Sequence, residues 1–310
     1  MKHWIIAALL LASPAAAQDR MTPAQCTGSL SAVTAMADLP ATLGTAQVDD
    51  EGWCRLSDVE VPIDDVSGLR IGHLRWRASD IARFIEGGLP PRTIDIEGVD
   101  FGMTARTGDP VFDYLLGLQM RQAQMSFGAS LRWDGVQNAV TINNAYFEFD
   151  ATNRIEATAR IEGVNLSDMA AIQTSLGTAG LRSLTMKSQF DGWFETYVAM
   201  IVGNMVLAEG DGTPEAQVAA RKRQAIEFMN DLPDSFMPTP SRSALAGFIN
   251  GLPTPRGTAQ LQISANPTIG AVRAARLAAI PRDADLAQLV EMALDGVTAL
   301  FTWTPAGQAK

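Results

Sequence analysis

The sequence predicts an α+β protein: a curved, largely antiparallel sheet with helices packed on one face. Three observations carry that expectation. Segments in which apolar residues alternate with period two recur along most of the chain. Short polar turns join most of them, which links antiparallel rather than parallel neighbours. Stretches with helix-start signals and three-to-four-residue apolar spacing stand between them.

Taken in order, residues 23–37 (PAQCTGSLSAVTAMA) read as a short amphipathic helix. Asp49, Asp50, Glu51 and Gly52 form a turn between strand candidates. Segments 53–61 and 69–77 (LRIGHLRWR) both show near-alternating patterning. Ser79 is the expected cap of a helix over Ile81, Phe84 and Ile85 that stops at Gly87 and Gly88, and Pro90 and Pro91 forbid its continuation. Residues 93–103 (TIDIEGVDFGM) alternate again, with an irregularity expected at Gly98.

Asp109 and Pro110 are an N-cap and first-turn pair opening a helix to about Arg121. The clearest strands follow. Met125, Phe127, Ala129, Leu131 and Trp133 alternate strictly up to a turn at Asp134 and Gly135. Val140, Ile142 and Tyr146 mark the next strand, with Phe147 and Phe149 pointing to a bulge or face switch. After a turn at 150–153, Ile155, Ala157, Ala159 and Ile161 complete an antiparallel meander.

A helix near 166–175 and a strand at 181–190 precede the segment Trp193 to Ala208 (WFETYVAMIVGNMVLA), apolar nearly all round. Thr213 and Pro214 start a helix to about Asn230, and 231–240 (DLPDSFMPTP) is a Pro-rich connector. Ser241 is the expected cap of a short helix to Asn250. A strand at 256–264, a helix capped by Asp283 with a Leu286, Leu289, Val290, Ala293 and Leu294 stripe, and a last strand through Val297, Ala299, Phe301 and Trp303 complete the chain. The expected organisation is a signal peptide at 1–17, then a single α+β domain at 18–310 with a helical insertion around 192–250.

The signal peptide follows from three regions in order. Lys2 is the charged start, Trp4 to Ala12 is an apolar run too short to span a bilayer, and Ala15 and Ala17 give an A-x-A cleavage pattern. Its removal takes away Lys2 and His3, leaving His73 as the only histidine. The arginine-rich balance favours a Gram-negative periplasm as the location. In that oxidising compartment Cys26 and Cys54 are expected to pair, a closure worth about 3.5 kcal/mol by the chain-entropy estimate. No C-x-x-C spacing favours a redox role.

The formal net charge of −10 argues against a nucleic-acid partner, which requires a basic surface. Two Cys and two His build neither a zinc-finger array nor an iron–sulfur cluster. There is no G-x-S-x-G elbow, S-x-x-K, H-E-x-x-H, Walker A loop or G-x-G-x-x-G after a strand. His73, within a strand, reads as structural. Asp58 with Glu60, and Asp95 with Glu97, sit two apart, so each pair shares a strand face. Such pairs serve glycoside hydrolysis when two face each other across a cleft, but a solvated polar face accounts for them more simply. Asp49, Asp50 and Glu51 lack the EF-hand spacing for Ca²⁺. No catalytic residue, cofactor or metal is therefore assigned, and the chain reads as non-catalytic. Arg221, Lys222 and Arg223 are the only basic cluster, an exposed helix face that would weakly attract an anionic lipid surface.

The segment 193–208 is expected first as a core helix against the sheet and otherwise as a wall of an apolar groove or a membrane-touching segment. Trp193, Phe194, Tyr197, Ile201 and Met205 are the candidate contacts for an apolar ligand.

The texture of 125–165 (MSFGASLRWDGVQNAVTINNAYFEFDATNRIEATARIEGVNLS), and of 256–303 opening on GTAQLQISANP, is similar to secreted AsmA-like and allied periplasmic proteins. The resemblance covers about a third of the chain and rests on alternation, so it carries over no site residue. It implies a long curved antiparallel sheet presenting an apolar groove, with roles in lipid handling and outer-membrane upkeep. This chain departs from that pattern in that its N-terminal segment reads as a cleaved signal rather than a retained anchor. The expected function is binding of a lipid or other apolar ligand at the envelope. A protein-interaction or scaffold module with an envelope partner comes second, and a carboxylate-dependent hydrolase third. No transmembrane span is expected after signal cleavage.

Overall fold

The computed structural model describes residues 20–37, 43–105, 107–122, 125–207, 212–278 and 286–307. The expected signal peptide at 1–17 and the expected cap Asp283 lie outside them.

The chain opens with helix α1 (Pro23–Met36), entered through a Thr22–Gln25 capping box. Strands β1 (Gln47–Val48), β2 (Cys54–Pro62) and β3 (Ser67–Ser79) follow. Helix α2 (Ile81–Gly87) leads to β4 (Thr93–Ala105), and α3 (Pro110–Gln122) to β5 (Met125–Asp134), β6 (Ala139–Asp150) and β7 (Asn153–Glu162). Then come α4 (Met169–Thr178) and β8 (Gly180–Asp191). A π-helical turn (Phe194–Val198) runs into α5 (Ala199–Val206), α6 (Pro214–Asn230) and α7 (Thr239–Gly251). Strand β9 (Arg256–Gly270), α8 (Ala271–Ala278), α9 (Leu286–Leu294) and β10 (Val297–Pro305) end the described chain.

Among the described residues, ten strands form one open sheet in the order β1 to β10, each antiparallel to its neighbours in sequence. The antiparallel expectation therefore holds over the whole array, not only at β5–β7. The β8–β9 pair closes across the helical segment between them, with Leu184 opposite Ile263 and Met186 opposite Leu261.

Several local expectations give way. Ser79 does not cap α2; it ends β3, paired with Thr93, and Asp80 takes the cap position with φ 54°. Ser241 lies inside α7, whose cap position is Pro238, and its Oγ accepts from the Phe301 N–H at 3.0 Å. The strand irregularity falls at Asp100, between Val99 and Phe101, rather than at Gly98. Helix α8 forms where no helix was expected, between β9 and α9. Asp109 does cap α3, accepting from the Val111 and Phe112 N–H groups, and Thr213 caps α6.

The register gives the sheet two unlike sides, because directly paired residues share a face. One side collects Leu56, Val59, Leu74, Trp76, Ile94 and Ile96 from the first strands. It continues through Ala129, Leu131, Ile142 and Ala145 to Ala157, Ala159, Leu184, Leu261, Ile263 and Ala299. A bulge at Asn143–Asn144 keeps this side apolar, since it brings Ala145 and Phe147 onto the face of Val140 and Ile142. The same bulge sends Tyr146 to the other side, against the expectation that it aligns with Val140 and Ile142.

Two buried clusters cover the ends of the apolar side. At the first, α1 and α2 bring Met21, Cys26, Leu30, Ile81 and Ile85 onto Leu56, Trp76 and Ala78. The Cys26–Cys54 disulfide, with both residues fully buried, joins α1 to β2. The Trp76 indole N–H donates to Ser29 at 3.1 Å as a second tie. At the other end Phe190, Trp193 and Ala259 gather Phe149, Phe194, Phe248, Phe301 and Trp303. Helix α8 contacts α4, α9 and β9 instead, so a single helical layer does not describe the whole set.

Candidate functional site

The site is built from the apolar side between its two covered ends. Helix contacts concentrate on β1–β4 and on β9–β10. Over the centre, Leu131, Ile142, Ala145, Ala157, Ala159, Leu184 and Ile263 are only partly buried, and Met186 is exposed. An alternating strand run would bury such residues had a layer covered them.

A ribbon of aromatic rings borders this centre. Phe101 of β4 meets Phe127 of β5 edge-on at 5.5 Å and Phe147 of β6 at 6.0 Å. Phe147 meets Phe149 at 4.7 Å, and Phe149 stacks on both Trp193 (4.9 Å) and Tyr197 (5.1 Å). Trp193 stacks on Phe190, which reaches Phe248 and Trp303. Stacked and edge-on pairs at these separations hold rings in fixed orientation. Gly98 makes room for the ribbon: a Cβ there would stand 2.3 Å from the Phe127 ring. Glycine within a strand signals such close approach, and this was the signal available at the sequence level.

The five candidate ligand contacts divide between core and surface. Trp193 is buried and Phe194 half-buried in the second cluster, while Tyr197 is 39% exposed against Phe149. Ile201 and Met205, at 59% and 82%, project from α5 into solvent. The segment is therefore not a core helix along its length; only its π-helical start packs against the sheet. Its sequence is apolar on all sides, so the pattern carried no information on which end would be covered.

The opposite side is polar and laced with ion pairs. Arg75 pairs with Glu97 at 2.6 Å and Arg77 with Asp95 at 2.8 Å, both guanidinium groups lying over the Trp53 ring. Arg154 pairs with Glu148 and Glu156 and lies 4.3 Å from the Tyr146 ring centre. Burial, reinforced by Glu97 and Glu148, raises the Tyr146 hydroxyl above its ordinary value of 10.0. Asp58 has a left-handed backbone, φ 54°, and pairs with Arg70, while Glu60 accepts from Thr104. The carboxylates singled out as candidate acids thus engage neighbours on the polar side. His73 is exposed there, in a cleft of about 670 Å³ with Ser57, Arg75 and Glu97. Among the described residues, no group of three His, Cys, Asp or Glu side chains is placed to hold a metal.

In the Asp49 turn the carboxylate accepts from the Glu51 and Trp53 N–H groups and from Arg55. Burial opposes its ionisation, but the Trp53 N–H and Arg55 together hold its pKa below 3.8. These contacts satisfy the carboxylate within the turn, in keeping with a plain turn.

No helix among the described residues is long and apolar enough to cross a membrane. No family model and no curated protein matches the sequence.

Proposed function

We propose that this protein binds a lipid or another apolar ligand along the centre of its apolar sheet side and works in envelope upkeep outside the cytoplasm. The observation that carries the reading is the partly exposed strip from Leu131 to Ile263 between two helix-covered ends, bordered by the aromatic ribbon. Exposed contiguous apolar surface in a folded protein marks an interaction site. Aromatic rings beside it offer flat contact area at low entropic cost. The reading agrees with the AsmA-like texture of the strands, and the Cys26–Cys54 disulfide suits a periplasmic location after removal of residues 1–17. The chemistry is non-catalytic and uses no cofactor.

The test is native mass spectrometry and solvent extraction of the purified protein, with titration by a lipophilic fluorophore. Co-purifying lipid and saturable fluorophore binding are expected. Ala157→Glu, which places a charge in the strip, is expected to abolish binding while leaving circular dichroism unchanged. A protein that emerges empty and takes up no fluorophore would sink the reading.

One observation favours a second reading, an interaction module. Among the described residues the outer edge of β2 pairs with a strand only at Cys54 and Arg55. An open edge templates strand addition. Recovery of a stoichiometric protein partner without lipid from periplasmic extract would favour it.

A further inference from the structure

Helix α5 exposes apolar side chains around most of its circumference: Met200 at 75%, Ile201 at 59% and Met205 at 82%, with Val202 and Val206 also exposed. No charged residue occurs from Thr196 to Leu207. Beside it stands the only basic cluster of a chain whose formal charge is −10. The structure joins the two, because the Arg221 guanidinium donates to the Val206 carbonyl at the end of α5, 3.3 Å away. Lys222 is held instead by the Asn250 and Leu252 carbonyls at the end of α7. Arg223 is exposed and has no partner among the described residues. Phe228, two helical turns beyond Arg221 on the same side of α6, is also exposed.

An exposed helix that is apolar all round costs solvation free energy unless something apolar receives it. A cationic flank beside it complements one occupant in particular, a bilayer with anionic headgroups. We infer that α5 is a membrane-docking element, inserting Met200, Ile201 and Met205 at the headgroup boundary of an anionic bilayer while Arg221 and Arg223 contact its phosphates. This goes beyond ligand binding by the sheet and rests on different residues. The acidic residues Glu209 and Asp211 of the connecting segment lie outside the described residues.

The experiment is vesicle flotation of the full chain with phosphatidylcholine vesicles, with and without phosphatidylglycerol. Partition is expected on the anionic vesicles, weakening as salt is raised. Arg223→Gln should weaken it about fivefold. Met200→Glu with Met205→Glu should weaken it more than about tenfold, and both side chains are too exposed for their loss to unfold the protein. No partition on either vesicle, or partition unchanged in the variants, overturns the inference. So does a dimer in light scattering that the Met200 and Met205 substitutions dissolve, because the occupant would then be a second copy. Fluorophore uptake by the sheet is read separately, so failure here leaves the sheet reading standing, and the reverse.

Discussion

At the residue scale, Asn153 shows how much one buried amide can organise. It is 2% exposed, and its amide N–H groups donate to Asp150 at 2.7 Å and to the Asp191 carbonyl at 3.1 Å. Its Oδ1 accepts from the Asp191 N–H at 2.6 Å. It therefore ties the β6–β7 turn to the end of β8, just before Trp193. Asn153→Ala removes a buried amide that makes two half-buried hydrogen bonds to the Asp191 backbone, and a loss of about 2–3 kcal/mol is expected. Urea unfolding should show the midpoint fall with the slope unchanged. The turn at 150–153 was legible because its signal is local. The role of Asn153 was not, because its partner lies 38 residues away. Arg273 is similar: it is buried and donates to the carbonyls of Pro267, Ala293 and Asp295, and nothing near it in sequence announces three acceptors.

At the element scale, period-two alternation made β5, β6 and β7 legible, since it depends only on which residues share a face. What stayed hidden is set by neighbouring elements. The extra residue at Asn143–Asn144 is defined by the strands on either side, so the sequence showed a face switch without its position. Ser241 looked like a cap, but β10 takes its hydroxyl. Gly98 yields a prediction of this kind. Gly98→Ala drives a methyl group into the Phe127 ring, and overpacking of this sort costs about 1–3 kcal/mol. The Phe101–Phe127–Phe147 contacts should be disturbed with it, seen as a changed near-ultraviolet circular dichroism spectrum. A variant with wild-type stability and an unchanged spectrum would show that the ring moves freely.

At the scale of the whole molecule, alternation announced an apolar side but not what covers it, because burial depends on where distant helices land. The ends of that side are filled by α1 and α2 and by the π-helical turn with α7, and its centre is left partly open. Distributed turn chemistry also gives the fold a pH response. Burial opposes ionisation of Asp150, but its contacts with Asn153 and Thr152 outweigh that and lower its pKa. The Val66 N–H lowers Asp64, Thr107 lowers Asp113, and the Ala171 N–H lowers Asp168; Asp49 shares the direction. A folded-state value below the ordinary 3.8 stabilises the fold above that pH and is lost as the pH falls through the lower folded value. Calorimetric melting temperature is therefore expected to hold at neutral pH and drop below pH 3.8; a flat profile through that window would contradict the account. Finally, the two margins of the sheet differ. The β10 margin is stoppered, since its Ala299 and Phe301 N–H groups are taken by the Phe236 carbonyl and Ser241. Filament growth by strand addition needs a donor and a receiving margin on every subunit. Self-association through the β2 margin alone would therefore stop at a symmetric pair rather than grow into a filament.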